Sequence, residues 1–310
     1  MLKQAIKVAR PVHWTKNFAL FAAIIFSGSL FSIINIERVL LAFISFSFIS
    51  SAIYIINDLR DIEQDKMHPI KKNRPLASGK LPVSIALFEM VILASLSIVL
   101  AFALSQLFLI SILAYFVLQI LYSFFLKNLP TIDIIVIATG FIIRVYAGAF
   151  VIDAHLSVWF LLCVISVALF LASGKRRAEL NILENTKGVT RKSLSKYQRE
   201  LLNSYVTMFG NSAWMSWALF TFYESPEAPL PVWLFLAEIS KTTTISKLLM
   251  ITIPIVIFAI MRYQSLIFEG KSEAPESLLL KDKPLVISVF IWIGLVVWVL
   301  YFAGADIPVI

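Results

Sequence analysis

Residues 57–80 read NDLRDIEQDKMHPIKKNRPLASGK, a polar stretch wedged between two long apolar runs. Its aspartates, Asp58, Asp61 and Asp65, are spaced i, i+3 and i+7, so on one helix they share a face. Such a set suits a hard divalent cation. Mg²⁺ takes oxygen ligands, uses one or two carboxylates at a time and completes its shell with substrate phosphates. A plainer reading is a helix end dipping into water, where Asn and Asp cap and solvate. Lys71, Lys72, Arg74, Lys80 and His68 follow at once. That density of cations beside three carboxylates favours a grip on a diphosphate ester at the rim of a bilayer.

The rest of the chain supplies the bilayer. Of its 310 residues 59% are hydrophobic and 15% charged, with a mean hydropathy of +0.87, whereas soluble domains carry about 25% charged residues. Apolar stretches of about 17–25 residues predict nine spans near 18–35, 39–57, 82–103, 106–126, 131–151, 156–174, 203–223, 243–261 and 285–303. The first follows Lys3, Lys7, Arg10 and Lys16 as a signal peptide would, but it is long and lacks a small-residue cleavage site, so it reads as an uncleaved span.

The cations divide unevenly across these spans. Of the 27 Lys and Arg, 23 fall on one side, three (Arg38, Lys241 and Lys247) on the other, and Arg144 lies inside the fifth span. Positive loops stay inside, so the N-terminus and the long polar loops are expected in the cytoplasm and the C-terminus outside, in a multi-pass protein of the cell (inner) membrane. The net charge of +8 therefore reports orientation, and no nucleic-acid partner is expected. Cys163 is the only cysteine, which excludes an intrachain disulfide. The sequence is compatible with a homo-oligomer. One integral membrane domain is expected, with a weak echo of two four-helix halves, about 1–126 and 127–261, plus a ninth helix at about 285–303.

Three further constellations carry polar chemistry. GKRRAELNILENTKGVTRKSLSKYQRE, residues 174–200, places Lys175, Arg176 and Arg177 at the cytoplasmic end of span six. Arg191, Lys192, Lys196 and Tyr197 come further on. Orientation and anionic head groups explain many of these cations. The interleaved Glu179 and Glu184 are not so explained, and suit a second metal or the hydroxyls of a polar substrate. Arg144 stands in span five, where a charge is costly and marks either a phosphate contact or a structural ion pair. Gly140 and Gly148 flank it on the same face. RPVHWTKN, residues 10–17, sets Trp14 among cations as an interfacial belt does, with Lys16 and Asn17 within reach of a polar cavity.

Taken together these segments resemble the intramembrane UbiA prenyltransferase superfamily. The likeness rests on Asn57-Asp58-x-x-Asp61-x-x-x-Asp65 with Arg74-Pro75-Leu76 and Gly79. It is extended by RPVHWTKN (10–17), YSFFLKNLPTIDI (122–134), IRVYAG (143–148), LSVWFLL (156–162), GKRRAEL (174–180), RKSLSKY (191–197) and GKSEAPESLLLKDKPL (270–285). Within the superfamily the chain is most similar to the branch that joins phosphoribosyl diphosphate to a polyprenyl phosphate lipid. Aromatic-prenylating relatives usually carry a second aspartate-rich motif, and here that stretch offers only Glu179 and Glu184. The resemblance implies an all-α, nine-helix bundle around a central cavity open to the cytoplasm. It implies an enzyme with Mg²⁺ on Asp58, Asp61 and Asp65, of which Asp58 and Asp61 are catalytic. Phosphates are expected on Lys71, Arg74, Lys175, Arg176, Arg191 and Lys192. Lys16, Arg144 and Tyr197 are further substrate contacts, and Asn57 and Glu179 orient the ribose or metal-bound water. A quinone-type prenyltransferase is the alternative. A transporter is disfavoured, because the polar residues cluster at one membrane face.

Overall fold

The computed structural model describes residues 1–67, 71–185, 197–224, 247–269 and 281–303, excluding the side chains of Leu2 and of residues 182–185. Every regular element among them is helical. Among the described residues seven helical stretches are long and apolar enough to cross a membrane, and they match seven of the nine predicted spans. The chain is a multi-pass membrane protein.

The other two predicted spans are helical but differ from a simple crossing. After α1 (Leu2–Ala9) the chain runs as a 3₁₀ helix, Pro11–Leu20, into a short α2, Phe21–Phe26. Gly28 then takes a left-handed φ of 74°, and the Ser32 hydroxyl caps α3, Ile33–Arg60, by accepting from the Asn35 amide. The predicted first span is thus cut short, and residues 33–35 belong to α3. The seventh is α9, Arg199–Glu224, where Asn203, Thr207, Asn211 and Ser216 dilute the apolar run.

The described residues divide into two compact units. The first covers Met1–His155, so the fifth predicted span packs with the four before it. Here α3 is the most enclosed of the candidate spans. It is surrounded by α5 (Val83–Leu104), α6 (Gln106–Phe124), α7 (Ile132–Val151) and the Pro11–Leu20 segment. Lipid is as apolar as Leu, so such helices associate by close packing and hydrogen bonds rather than by a hydrophobic drive. The α3–α5 seam shows both. Ser45 donates to the Ser97 carbonyl at 2.9 Å and Ser97 to the Ser45 carbonyl at 2.8 Å, between fully buried residues. At Gly148 on α7 any Cβ would collide with the Leu20 carbonyl, so only glycine lets the N-terminal segment lie so close. The outer face of α5, with Phe88, Val99 and Phe102, is exposed and apolar, as a lipid-facing surface requires.

The second unit contains α8 (Val158–Asn185), α9, a 3₁₀ turn at Leu248–Thr252, α10 (Ile253–Phe268) and α11 (Lys283–Trp298). Gly174 of α8 packs on Tyr263 and Ile267 of α10. Asp282 caps α11 by accepting from the Leu285 amide and is gripped by Arg262 through two hydrogen bonds, at 3.1 and 2.7 Å. One carboxylate thereby terminates one helix and ties it to another.

Candidate active site at the end of the third helix

The end of α3 carries the acidic motif, and the helix does not run through it unbroken. Asp61 leaves helical geometry (φ −95°, ψ 13°), and α4, Ile62–Met67, resumes directly. The amides keep a helical pattern across the break: Asp61 donates to the Asn57 carbonyl at 3.0 Å and Asp65 to that of Asp61 at 2.8 Å. The three carboxylates divide accordingly. Asp58 and Asp65 converge on Arg74, whose Nη1 lies 3.2 Å from one and 2.5 Å from the other. Asp61 turns to Lys127, whose Nζ is 3.4 Å from each of its carboxylate oxygens.

Asp58 is the centre of the cluster. Its side chain is 2% exposed, and its Oδ1 also accepts from Arg10. Ionised carboxylates survive burial only when paired and hydrogen-bonded, and Arg10 and Arg74 supply that pairing. One atom is left over: Asp58 Oδ2 is buried with no hydrogen-bond partner among the described residues. Arg74 reaches the cluster from a turn that Gly79 closes with φ 69°. The neighbours Leu76 and Leu81 are buried against Val8 of α1 and Ile55 of α3. The side of Asn57 is fixed too, its Oδ1 accepting from the Ser123 hydroxyl. Arg60 donates to the Ser123 carbonyl and stacks 4.4 Å over the Phe124 ring.

Among the described residues no three acidic, histidine or cysteine side chains stand close enough to enclose a metal ion by themselves. The donor set fits Mg²⁺ all the same, because that ion takes one or two carboxylates and leaves the rest of its shell to phosphate and water. Asp58, with its unsatisfied buried oxygen, and Asp65 are the residues best placed to hold it.

The other predicted site residues fall elsewhere. Arg144 is buried and shares no partner with the aspartates. Its Nε donates to Asn17 Oδ1 at 2.8 Å, Nη1 to the Gly140 carbonyl at 2.6 Å and Nη2 to the Tyr115 hydroxyl at 2.6 Å. Asn17 passes the chain on to Ser47 at 3.0 Å. Lys16 and Lys71 are half-buried and engaged. In the second unit, Arg176 is fully buried and bonds Glu179 one turn on. Its neighbour Arg177 donates to Asn203 at 2.6 Å and to Asn181. Lys175 is half-buried and Tyr197 buried. Arg191, Lys192, Lys196 and His68, and the side chain of Glu184, lie outside the described residues.

Two contacts to the aspartates were absent from the predicted set. Arg10 and Lys127 both sit within distinctive motifs, but each reads from sequence as an orienting cation. Their 48- and 66-residue separations from Asp58 and Asp61 hide the pairing.

Comparison with known proteins identifies the family. The model of the UbiA prenyltransferase family matches residues 17–239. A decaprenyl-phosphate phosphoribosyltransferase of Corynebacterium glutamicum is 36% identical over 96% of this chain and 86% of its own length. A protein of the same name from Mycolicibacterium smegmatis is 34% identical over 96% and 92%. Among solved structures, a UbiA homolog from Archaeoglobus fulgidus bound to GPP and Mg²⁺ superposes with a TM-score of 0.66 at 20% identity, covering 96% of this chain and 99% of that one. Motif, helical architecture and near full-length similarity converge, and the chain belongs to the UbiA prenyltransferase family.

Proposed function

We propose that the chain transfers the 5-phosphoribosyl group from phosphoribosyl diphosphate to a polyprenyl phosphate, releasing diphosphate. One observation carries the reading at the level of residues: Asp58, buried with an unpartnered oxygen and flanked by two guanidinium groups, at the end of a spanning helix. Its relatives' shared name supplies the substrate pair.

The bond between ribose C1 and diphosphate breaks, and a bond from C1 to an oxygen of the lipid phosphate forms. That oxygen is already anionic at neutral pH, so no general base is required. Asp58 and Asp65 would hold Mg²⁺, which would supply neutralisation of the charge on the departing diphosphate. Arg74 and Lys71 hold phosphate oxygens, and Asn57, fixed by Ser123, orients the ribose hydroxyls. Asp61, partly exposed beside Lys127, completes the acidic set. In the second unit Lys175 and Arg176 are assigned to a phosphorylated group and Glu179 to a hydroxyl. Lys16 in the first unit and Tyr197 in the second are further proposed contacts, whereas Arg144, its donors taken by Asn17, Gly140 and Tyr115, is assigned to holding the helices of the first unit together. Catalysis then rests on alignment of two anionic substrates and on preorganised positive charge. The excess of Lys and Arg on one side of the spans supports a cytoplasmic face of the cell membrane for this chemistry.

The test incubates purified protein with Mg²⁺ and radiolabelled phosphoribosyl diphosphate plus polyprenyl phosphate, and in parallel with a prenyl diphosphate plus an aromatic acid. Labelled lipid in the first mixture, lost in Asp58→Asn protein that still elutes as a folded species, is expected. Product only in the second mixture refutes the proposal in favour of a quinone-type prenyltransferase.

A further inference from the structure

Each aspartate of the rim has a basic partner. Arg10 and Arg74 hold Asp58, Arg74 holds Asp65 and Lys127 holds Asp61, so three formal positive charges meet three negative ones. Arg74 belongs to the phosphate-binding turn already described. Arg10 and Lys127 do not, and the fold positions both with care.

Arg10 occupies the left-handed region (φ 52°, ψ 59°) that side-chain-bearing residues rarely adopt. It is held there by the helix that presents its partner. The preceding Ala9 carbonyl accepts from the Ser51 hydroxyl of α3 at 2.7 Å, Trp14 Nε1 donates to the same hydroxyl at 3.0 Å, and the Tyr54 ring lies 5.1 Å under the guanidinium. Backbone strain over-determined by its surroundings points to a function for the residue that carries it. Lys127 is carried on a 3₁₀ turn, Leu126–Asn128, directly after α6. The end of α6 is fastened to α3 through Ser123 to Asn57 and Arg60 to Ser123. Both cations therefore have anchored backbones. Arg10 is 20% exposed against 2% for Asp58, and Lys127 15% against 29% for Asp61, so each pair keeps one member in contact with solvent.

We propose that Arg10 and Lys127 are resident counter-ions: they occupy Asp58 and Asp61 while the site is empty, and they turn to donor phosphate oxygens when it fills. This rests on the function proposed above and adds a division of labour to it. A cation on a carboxylate competes with a divalent ion for that carboxylate, while the same cation beside a diphosphate assists its binding. Removing Arg10 or Lys127 must therefore act in opposite directions on the two ligands. A purely structural ion pair would weaken both or neither.

The experiment titrates full-length protein in detergent with Mn²⁺ alone, following the free-ion electron paramagnetic resonance signal, and then repeats the titration of inorganic diphosphate at saturating Mn²⁺. Arg10→Met and Lys127→Met are expected to bind Mn²⁺ about tenfold tighter than the parent and diphosphate about tenfold weaker, a coupling of ordinary size between sites. Arg10→Lys and Lys127→Arg, which keep the charge, are expected near the parent on Mn²⁺ and serve if the methionine variants fail to fold. Unchanged or weaker Mn²⁺ binding in both methionine variants overturns the counter-ion role. So does tighter Mn²⁺ binding in the charge-keeping variants when the methionine forms cannot be made. If the parent binds no Mn²⁺ that Asp58→Asn abolishes, the metal-dependent reading itself fails and takes this one with it. Failure of the counter-ion role alone leaves that Asp58-dependent binding intact.

Discussion

Gly148→Ala is a small change at a place with no room for it. The added Cβ would fall inside the van der Waals envelope of the Leu20 carbonyl, a backbone group that cannot rotate away. α7 and the Pro11–Leu20 segment must separate, and overpacking of this kind costs about 1–3 kcal/mol. The same displacement pulls Asn17 from Arg144, a 2.8 Å hydrogen bond; bonds to charged groups contribute roughly 1.5–3 kcal/mol each. Together the loss is about 2.5–6 kcal/mol, or on the order of 4–9 °C in melting midpoint for a chain of 310 residues. Gly140→Ala is the control on the same helix. Its Cβ would meet only side chains, Gln119 Nε2 at 3.2 Å and Arg144 Nη1 at 3.5 Å. Gly294→Ala is the second control, with nothing within 4 Å, and it gains helix propensity of about 1 kcal/mol at most. Scanning fluorimetry of the three variants in one detergent ranks them. A Gly148→Ala protein that melts with the parent, or below neither control, would refute the claim that this approach is backbone-limited.

Three further outcomes are expected. Arg144→Lys keeps the charge but not the fork of donors, so it should lower the melting midpoint nearly as far as Arg144→Met; full rescue by lysine would show that charge alone matters. Ser45→Ala and Ser97→Ala each remove one hydroxyl-to-carbonyl bond across the α3–α5 seam, and each should cost about 0.6–1.7 kcal/mol, the usual range for hydrogen bonds between spanning helices, read from the unfolding midpoint in graded SDS. Asp282→Ala removes a helix cap, worth about 0.5–2 kcal/mol, and the partner of Arg262. It should cost more than Asp282→Asn, which can still cap, and equal midpoints would remove the cap from the explanation.

What the sequence discloses here is what local patterning controls. Runs of apolar residues marked the long helices, because a helix in lipid must be apolar along its whole length. The first span was misjudged at its far end. Gly28 and Ser32 form a left-handed stop followed by a cap, a punctuation that hydropathy averaging passes over. The acidic motif was legible as residues, but its geometry was not. A turn at Asp61 sends that carboxylate to Lys127 and leaves Asp58 and Asp65 to share Arg74, a partition that an i, i+3, i+7 count cannot express. Arg144 shows the same limit from the other side. Its charge in an apolar span announced importance, yet its partners Asn17 and Tyr115 are neutral and come from 127 and 29 residues away.

The Ser45–Ser97 exchange has a consequence far from where it sits. Each hydroxyl is bonded to the other residue's main chain, so α3 cannot slide along α5 by even a fraction of a turn without breaking both contacts. Ser45 lies 13 residues before Asp58, which is about 20 Å of helix. The loop bearing Asp61, Asp65 and Arg74 is strung between these same two helices, like a cable between towers whose foundations are bolted together. Its span is decided deep in the apolar layer, so drift at the serine pair would detune the charged rim without touching a single charged residue.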